Sequence, residues 1–180
     1  MKIDLLNTLI KMFFLLNYTS YIYARIMNKN YSKKTCALIF IINFFLSALN
    51  LLMKSYFKTN EVMIIIIILS AIIINQISTE KIRPSAILLA FAVCIMSLVI
   101  SVAAIFPLQN ILNRVNNAKI VMMILMVVIQ GLTICVLFRI KRFNKGLAFI
   151  KEKINNEYID IITINISIAV IFVYTLFGNY

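Results

Sequence analysis

Long apolar runs separated by short polar gaps are the feature that most limits what this chain can fold into. One run reads CALIFIINFFLSALNLLM from Cys36 to Met53, and another extends from Ser85 to Phe106 between two prolines. A helix that crosses the hydrocarbon core of a bilayer needs roughly 17–25 mostly apolar residues. Because the chain contains several runs of about this length, we predict a polytopic membrane protein rather than a water-soluble domain.

Six runs qualify, and together they predict an all-α transmembrane bundle that forms a single domain over residues 1–180. Backbone polar groups in lipid must be hydrogen-bonded within their own segment, which favours helices even for the isoleucine-rich third run. Composition agrees, because 63% of the residues are hydrophobic and only 13% are charged. The six predicted spans cover residues 5–26, 36–53, 62–77, 85–106, 120–138 and 161–177.

Positive charges lie mainly in the gaps between these runs. The formal net charge is +12, but charges in short gaps are typical of a protein anchored at anionic lipid headgroups, not of a nucleic-acid-binding face. The first, third and fifth gaps, counted with Arg25 at the end of the first span, hold 12 of the 18 Lys and Arg residues. Because Lys and Arg concentrate in cytoplasmic loops, we expect these gaps in the cytoplasm. Both termini would then lie outside a bacterial cytoplasmic membrane.

The fifth gap, residues 139–158, is basic and half apolar. Its apolar residues recur at alternating spacings of three and four, which is typical of an amphipathic helix; they are Ile140, Phe143, Leu147, Ile150 and Ile154. We predict a short interfacial helix whose basic side faces anionic headgroups, with a glycine that is a candidate hinge. The predicted anchor residues are Arg139, Lys141, Arg142, Lys145, Gly146, Lys151 and Lys153. A plain topological anchor without a signalling role is the alternative.

Residues that carry common enzymatic chemistry are scarce. The chain has no histidine and only three glycines, which excludes a histidine base, a histidine metal ligand and a glycine-rich phosphate loop. All six acidic residues lie in gaps or at span ends, whereas proton-coupled and metal transporters usually place an ionisable group within the membrane. Lys11 lies inside a predicted span, and we interpret it as a side chain that reaches outward to the interface. We therefore expect no enzymatic activity, cofactor or metal.

Polar side chains within the predicted spans are the remaining functional candidates. Asn43, Gln130 and Asn165 lie in the second, fifth and sixth spans, where such groups either hydrogen-bond between helices or line a ligand cavity. The longest outer gap, PLQNILNRVNNAK from Pro107 to Lys119, is a further candidate for ligand contact. Several tyrosines are typical of the membrane–water interface; they are Tyr18, Tyr21, Tyr23, Tyr56, Tyr158 and Tyr174.

One part of the chain resembles a known family. The string RFNKGLAFIKEKINNEYIDII, Arg142 to Ile162, and the last span with Ser167 and Tyr174 resemble the sensor region of Gram-positive GHKL-type sensor histidine kinases. This group includes receptors for peptide pheromones. The resemblance implies a sensory role in a two-component system, an extracellular peptide or small amphiphile as ligand, and a homodimer as a candidate assembly. In that family a further span, a histidine-bearing dimerisation helix and an ATP-binding domain follow, so we expect this chain to correspond to the input region without the kinase part.

Two other classes of membrane protein remain open. A substrate-binding subunit of a transporter would have about six helices in this length, although such subunits usually have small-residue docking faces. The first span here has a single alanine and no glycine. The second alternative is a structural or partner-binding membrane protein. A membrane cysteine peptidase is excluded, because its nucleophile needs a histidine partner.

Overall fold

A computed structural model describes residues 2–27, 29–57, 66, 69–70, 73, 84–109, 118–146, 158–159, 161–162 and 165. Within these residues the chain is all-helical, as predicted, and forms no strand. Four long helices make up the bundle: α1 (Lys2–Ile26), α2 (Lys33–Phe57), α3 (Pro84–Ile105) and α4 (Ala118–Arg139).

The ends of these helices follow local chemistry. Ser32 precedes α2, and its hydroxyl oxygen accepts a hydrogen bond from the backbone N–H of Thr35 at 3.1 Å, as an N-cap residue does. Pro84 occupies the first position of α3, where its missing N–H costs no helical hydrogen bond. Pro107 lies in the 3-10 turn Phe106–Leu108 that directly follows α3, because proline cannot continue the regular helix.

Three helices are long and apolar enough to cross a membrane. They cover Lys33–Met53, Pro84–Leu108 and Ala118–Arg139, and only 28%, 33% and 17% of their apolar windows is buried within the protein. Apolar surfaces of this extent are suited to lipid and are rare on soluble monomers. The structure therefore supports a membrane protein, and these helices coincide with the second, fourth and fifth predicted spans.

The prediction of six spans is not confirmed. α1 coincides with the first predicted span, but it is the least apolar of the four helices and is not among the three that qualify. The third predicted span lies outside the described residues except for 66, 69, 70 and 73, and the sixth except for 161, 162 and 165. These few residues are helical.

α1 lies at the centre of the bundle, where it contacts α2, α3 and α4. Leu16 shares one buried apolar cluster with Leu46 of α2. Ile22 shares a second cluster with Ala90 of α3 and Ile134 of α4. Because three helices surround it, α1 presents much of its surface to protein rather than to lipid. Polar side chains on α1 can therefore find partners on neighbouring helices.

The same contacts define the directions of the helices. Near the end of α1, Ile26 clusters with Ala86 at the start of α3 and with Phe138 at the end of α4. α1 and α4 therefore run in one direction, and α3 runs in the opposite direction. α2 also runs opposite to α1, because the two helices pack together and only residues 27–32 connect them. The bundle has a basic end, defined by its described Lys and Arg residues: Arg25, Lys29, Lys33, Lys34, Arg139, Lys141, Arg142 and Lys145.

The basic segment begins with a break in the helix. Residues 141–146 are helical again after Ile140, and the side chain of Asn144 donates to the Phe138 carbonyl oxygen at 2.7 Å. This bond satisfies one of the carbonyl groups that a helix end leaves unpaired. The ring of Phe143 meets that of Phe138 edge to face, with 5.7 Å between centroids. The described part of the segment is therefore packed against the bundle.

The remaining anchor residues of this segment stay exposed or lie outside the described residues. Arg139, Lys141, Arg142, Lys145 and Gly146 are at the surface or partly exposed, as expected for an anchor. A Cβ at Gly146 would meet nothing within 4 Å, so packing does not require glycine there. Residues 147–157, which include Lys151 and Lys153, are not described, and the full interfacial helix stays a prediction.

Candidate functional site

Asn43 of α2 is fully buried, and both of its amide atoms are hydrogen-bonded. The amide nitrogen donates to Asn17 Oδ1 at 3.3 Å and to Ser20 Oγ at 3.2 Å, both on α1. The amide oxygen accepts a hydrogen bond from the Ser70 hydroxyl at 2.9 Å. Ser70 belongs to the third predicted span, so one side chain joins three segments. These bonds offset the cost of burying an amide and fix the register between α1 and α2.

Gln130 of α4 makes a second network, which reaches α3. Its amide nitrogen donates to the Cys94 carbonyl oxygen at 3.2 Å and to Ser97 Oγ at 3.4 Å. The Ser97 hydroxyl donates to the same carbonyl at 2.7 Å. The Cys94 thiol donates to the Leu15 carbonyl oxygen at 3.9 Å, so this network includes α1 as well.

Tyr18 connects α1 directly to α4. Its hydroxyl donates to the Val127 carbonyl oxygen at 2.8 Å. The ring passes over Gly131, where a Cβ would lie 2.7 Å from the tyrosine oxygen and 3.3 Å from Cζ. Glycine at this position permits the close approach. Tyr18 is therefore a contact between helices, and Tyr23 is buried in the core at 4% exposure. That these rings lie at the membrane–water interface stays a prediction.

The three polar residues predicted from the spans occupy different surroundings. Asn43 and Gln130 are buried and form hydrogen bonds between helices, each in its own network. Asn165 is helical and exposed. The structure thus places Asn43 and Gln130 in helix contacts rather than in one shared site, and a ligand-binding role for Asn165 stays a prediction.

A cavity of about 530 Å³ lies at the end of the bundle opposite the basic end. It is formed by the start of α1, the end of α3 with its 3-10 turn, and the start of α4. The polar lining comes from Asn7, Thr8 and Lys11 of α1, Gln109 after α3, and Lys119 of α4. Small-molecule sites usually measure about 300–1,000 Å³, so this cavity is of suitable size.

The rest of the lining is apolar. Met122, Met123 and Met126 come from α4, and Val102 and Phe106 come from α3 and the turn. Methionine is flexible and polarisable, so it adapts to ligands of irregular shape. The cavity therefore combines two lysines with apolar, adaptable side chains.

Asn7 carries an unsatisfied group at this cavity. Its amide oxygen is buried and has no hydrogen-bond partner among the described residues. A buried acceptor without a partner costs about 1–3 kcal/mol, and such groups are uncommon in native proteins.

Sequence reasoning finds parts of this cavity without finding the cavity. The outer gap Pro107–Lys119 is a candidate ligand contact in the sequence, and two of its residues, Gln109 and Lys119, do line the cavity. The sequence presents Lys11 only as a side chain reaching for the interface, whereas it is exposed and belongs to the same lining. Two sequence features could have indicated the cavity: a lysine inside a predicted span, and three methionines within one and a half turns of α4.

At the basic end, α1 contacts the end of α4. The guanidinium of Arg25 lies over the Phe138 ring, 5.6 Å from its centroid, a cation–π arrangement. The Tyr21 ring meets the same ring edge to face at 6.1 Å. Because Phe138 also packs against Phe143, α1 is linked to the basic segment through one aromatic side chain.

Comparison of the chain with protein-family models, with curated proteins and with solved structures gave no significant match. Among the described residues, no group of His, Cys, Asp or Glu side chains could hold a metal ion.

Proposed function

We propose that this chain is the membrane-embedded input region of a sensor, in which the cavity receives an extracellular ligand and α1 relays its occupancy to the basic end. The proposal depends on the continuity of α1. This helix lines the cavity with Asn7, Thr8 and Lys11, and it reaches the basic end with Arg25 over Phe138. A ligand that shifts the start of α1 would therefore also act on Arg25, which contacts Phe138. Phe138 in turn packs against Phe143 of the basic segment.

The hydrogen bonds between α1 and its neighbours support this role. A change in α1 position would exchange discrete hydrogen bonds, such as those from Asn43 to Ser20 and from Tyr18 to the Val127 carbonyl oxygen, rather than deform the bundle continuously. Elements with discrete alternative arrangements are the ones that couple distant sites.

Six spans with a cytoplasmic basic end are part of the proposal. α2 and α3 both run from the basic end toward the cavity end, so the chain between Phe57 and Pro84 has to return to the basic end. This favours the third predicted span. Lys and Arg concentrate on the cytoplasmic side of membrane proteins, which would place the cavity outside, within reach of an extracellular ligand.

The resemblance to GHKL-type sensor kinases suggests what the basic end would act on. In those proteins the signal passes to a cytoplasmic kinase region of a two-component system. Here, the segment that begins at Arg139 would contact that region or a partner that carries it.

A cavity-filling substitution tests the relay without a known ligand. Val102→Phe would occupy part of the cavity, while Val99→Phe adds the same ring one turn earlier on α3, at a position 60% exposed and outside the cavity lining. Spin labels would be placed at Asn30→Cys and Lys145→Cys, which are both exposed positions at the basic end. They would report the distance between the connection that follows α1 and the basic segment that follows α4. The native cysteines would be replaced by Cys36→Ser, Cys94→Ser and Cys135→Ala.

The sensor proposal predicts that Val102→Phe shifts the distance distribution between the labels in nanodiscs and that Val99→Phe does not. An unchanged distribution with Val102→Phe would reject the relay and favour the structural alternative. Equal shifts with both substitutions would also reject it, because the added ring would then act through helix packing and not through the cavity.

A further inference from the structure

We infer that the cavity binds an anionic amphiphile, with the negatively charged group beside Lys11 and Lys119 and the apolar chain along the methionines of α4. This inference rests on the proposed function, because it takes the cavity to be the ligand site. It adds the chemical class of the ligand and the orientation in which it binds.

Charge is the first argument. The cavity receives one lysine from α1 and one from α4, and both are exposed. None of the described residues that line it carries a carboxylate. The combined positive charge of the two lysines favours a ligand with a negative group.

Shape and composition are the second argument. Besides the two lysines, the lining includes Met122 and Met126, which lie one turn apart on α4, and Phe106, which follows α3. A polar group with a few fixed donors next to an apolar, adaptable wall is the usual arrangement of a site for a molecule with a charged head and an apolar chain. A small inorganic anion would make no use of the apolar wall, and a purely apolar ligand would make no use of the positive potential.

Two sources could supply such a molecule: an anionic membrane lipid, or an amphiphile that arrives from outside. Both share an anionic head on an apolar chain, and the lining residues recognise that shared chemistry. The experiment therefore has to measure the preference for the head charge first and compare the two sources second.

The protein's composition provides a clean optical probe. The chain contains no tryptophan, so Phe106→Trp gives a single reporter on the cavity lining, at a position that is 73% exposed. Brominated alkyl chains quench tryptophan fluorescence on contact. Three probes of equal chain length would be titrated in phosphatidylcholine nanodiscs: ω-bromododecyl phosphate, ω-bromododecanol and ω-bromododecyl-trimethylammonium. A second reporter, Leu52→Trp, lies at a lipid-facing position of α2 that is 66% exposed, and it corrects for partition into the bilayer.

We expect the phosphate probe to quench the Phe106→Trp reporter at a concentration about tenfold lower than the alcohol, since charge-assisted hydrogen bonds are worth about one such factor. The trimethylammonium probe should quench the Phe106→Trp reporter no better than the Leu52→Trp reporter. Lys11→Gln and Lys119→Gln should each remove most of the preference for phosphate. Lys34→Gln removes a charge at the basic end and should leave the preference unchanged.

Phosphatidylglycerol added to the nanodiscs separates the two sources. If it competes with the phosphate probe, the anionic amphiphile is a membrane lipid; if it does not, the ligand comes from outside the bilayer. Equal quenching by all three probes, or a preference that survives both glutamine substitutions, would overturn the inference. Such a failure would leave the relay proposal standing if Val102→Phe still shifts the basic end, because that measurement uses no ligand.

Discussion

Because Tyr18 and Gly131 are in close contact, we predict that the effect of Gly131→Ala on stability depends on whether the Tyr18 hydroxyl is present. In Gly131→Ala the new Cβ would lie 2.7 Å from the Tyr18 hydroxyl oxygen, which is closer than atoms can pack. Tyr18 would have to withdraw and lose its hydrogen bond to the Val127 carbonyl oxygen. When Gly131→Ala is combined with Tyr18→Phe the oxygen is gone, and the nearest remaining atom is Cζ at 3.3 Å.

Three terms set the expected magnitudes. Overpacking costs about 1–3 kcal/mol, and loss of a hydrogen bond between membrane helices costs about 0.6 kcal/mol on average. Alanine gains about 1 kcal/mol over glycine in a helix interior. Gly131→Ala alone should therefore lower the free energy of unfolding by about 1–2 kcal/mol. In the Tyr18→Phe background it should be neutral or stabilise by up to about 1 kcal/mol.

SDS-driven unfolding in mixed micelles, followed by far-UV circular dichroism, would measure the four members of this cycle. Gly146→Ala is the control, because a Cβ there meets nothing within 4 Å, and it should be neutral or slightly stabilising. If Gly131→Ala costs the same with the Tyr18 hydroxyl present and with it removed, the two residues are not coupled. The reasoning about their close approach would then be refuted.

Four further predictions concern the networks, the cavity, the topology and a buried thiol. Asn43→Leu removes hydrogen bonds to α1 and to Ser70, and it should lower the free energy of unfolding by about 1–2 kcal/mol in the same SDS titration. The control Asn165→Leu, at an exposed position, should change it by less than about 0.5 kcal/mol. Equal effects of the two substitutions would contradict the role of the Asn43 network. Asn7→Leu removes a buried acceptor that has no partner among the described residues and should raise the free energy of unfolding by about 1 kcal/mol. A loss of stability would show that its amide has a partner. In a variant with Cys36 as the only cysteine, a membrane-impermeant maleimide should label inside-out but not right-side-out vesicles; the reverse result would place the basic end outside. Cys94, which is 0% exposed, should react only after unfolding.

The sequence predicted α2, α3 and α4 because the length of an apolar run determines whether a helix can span a membrane. It also predicted where α3 begins and ends, because Pro84 and Pro107 act locally. The central place of α1 could not be predicted in this way. Its polar residues look like defects in a span until their partners on other helices are known.

The cavity and the Tyr18 contact were beyond sequence reasoning for a related reason. Tyr18 meets a carbonyl group 109 positions away, and no local pattern joins the two. The cavity needs the ends of three helices to come together, and its methionines show no distinctive periodicity. Gln130 was recognised as a candidate because a lone amide is conspicuous in an apolar run. Its partners on α3 could not be recognised in the same way.

The central position of the least apolar helix has consequences for how the protein is assembled during synthesis. α1 is synthesised before α4, and the acceptor of Tyr18, the Val127 carbonyl oxygen, lies 109 positions later in the chain. A lysine near the middle of a helix costs about 2.5–3.5 kcal/mol on the insertion scale, so Lys11 makes early insertion of α1 expensive. α1 is therefore expected to settle late, once α4 has arrived. A nascent chain stopped before α4 would leave α1 dependent on the insertion machinery.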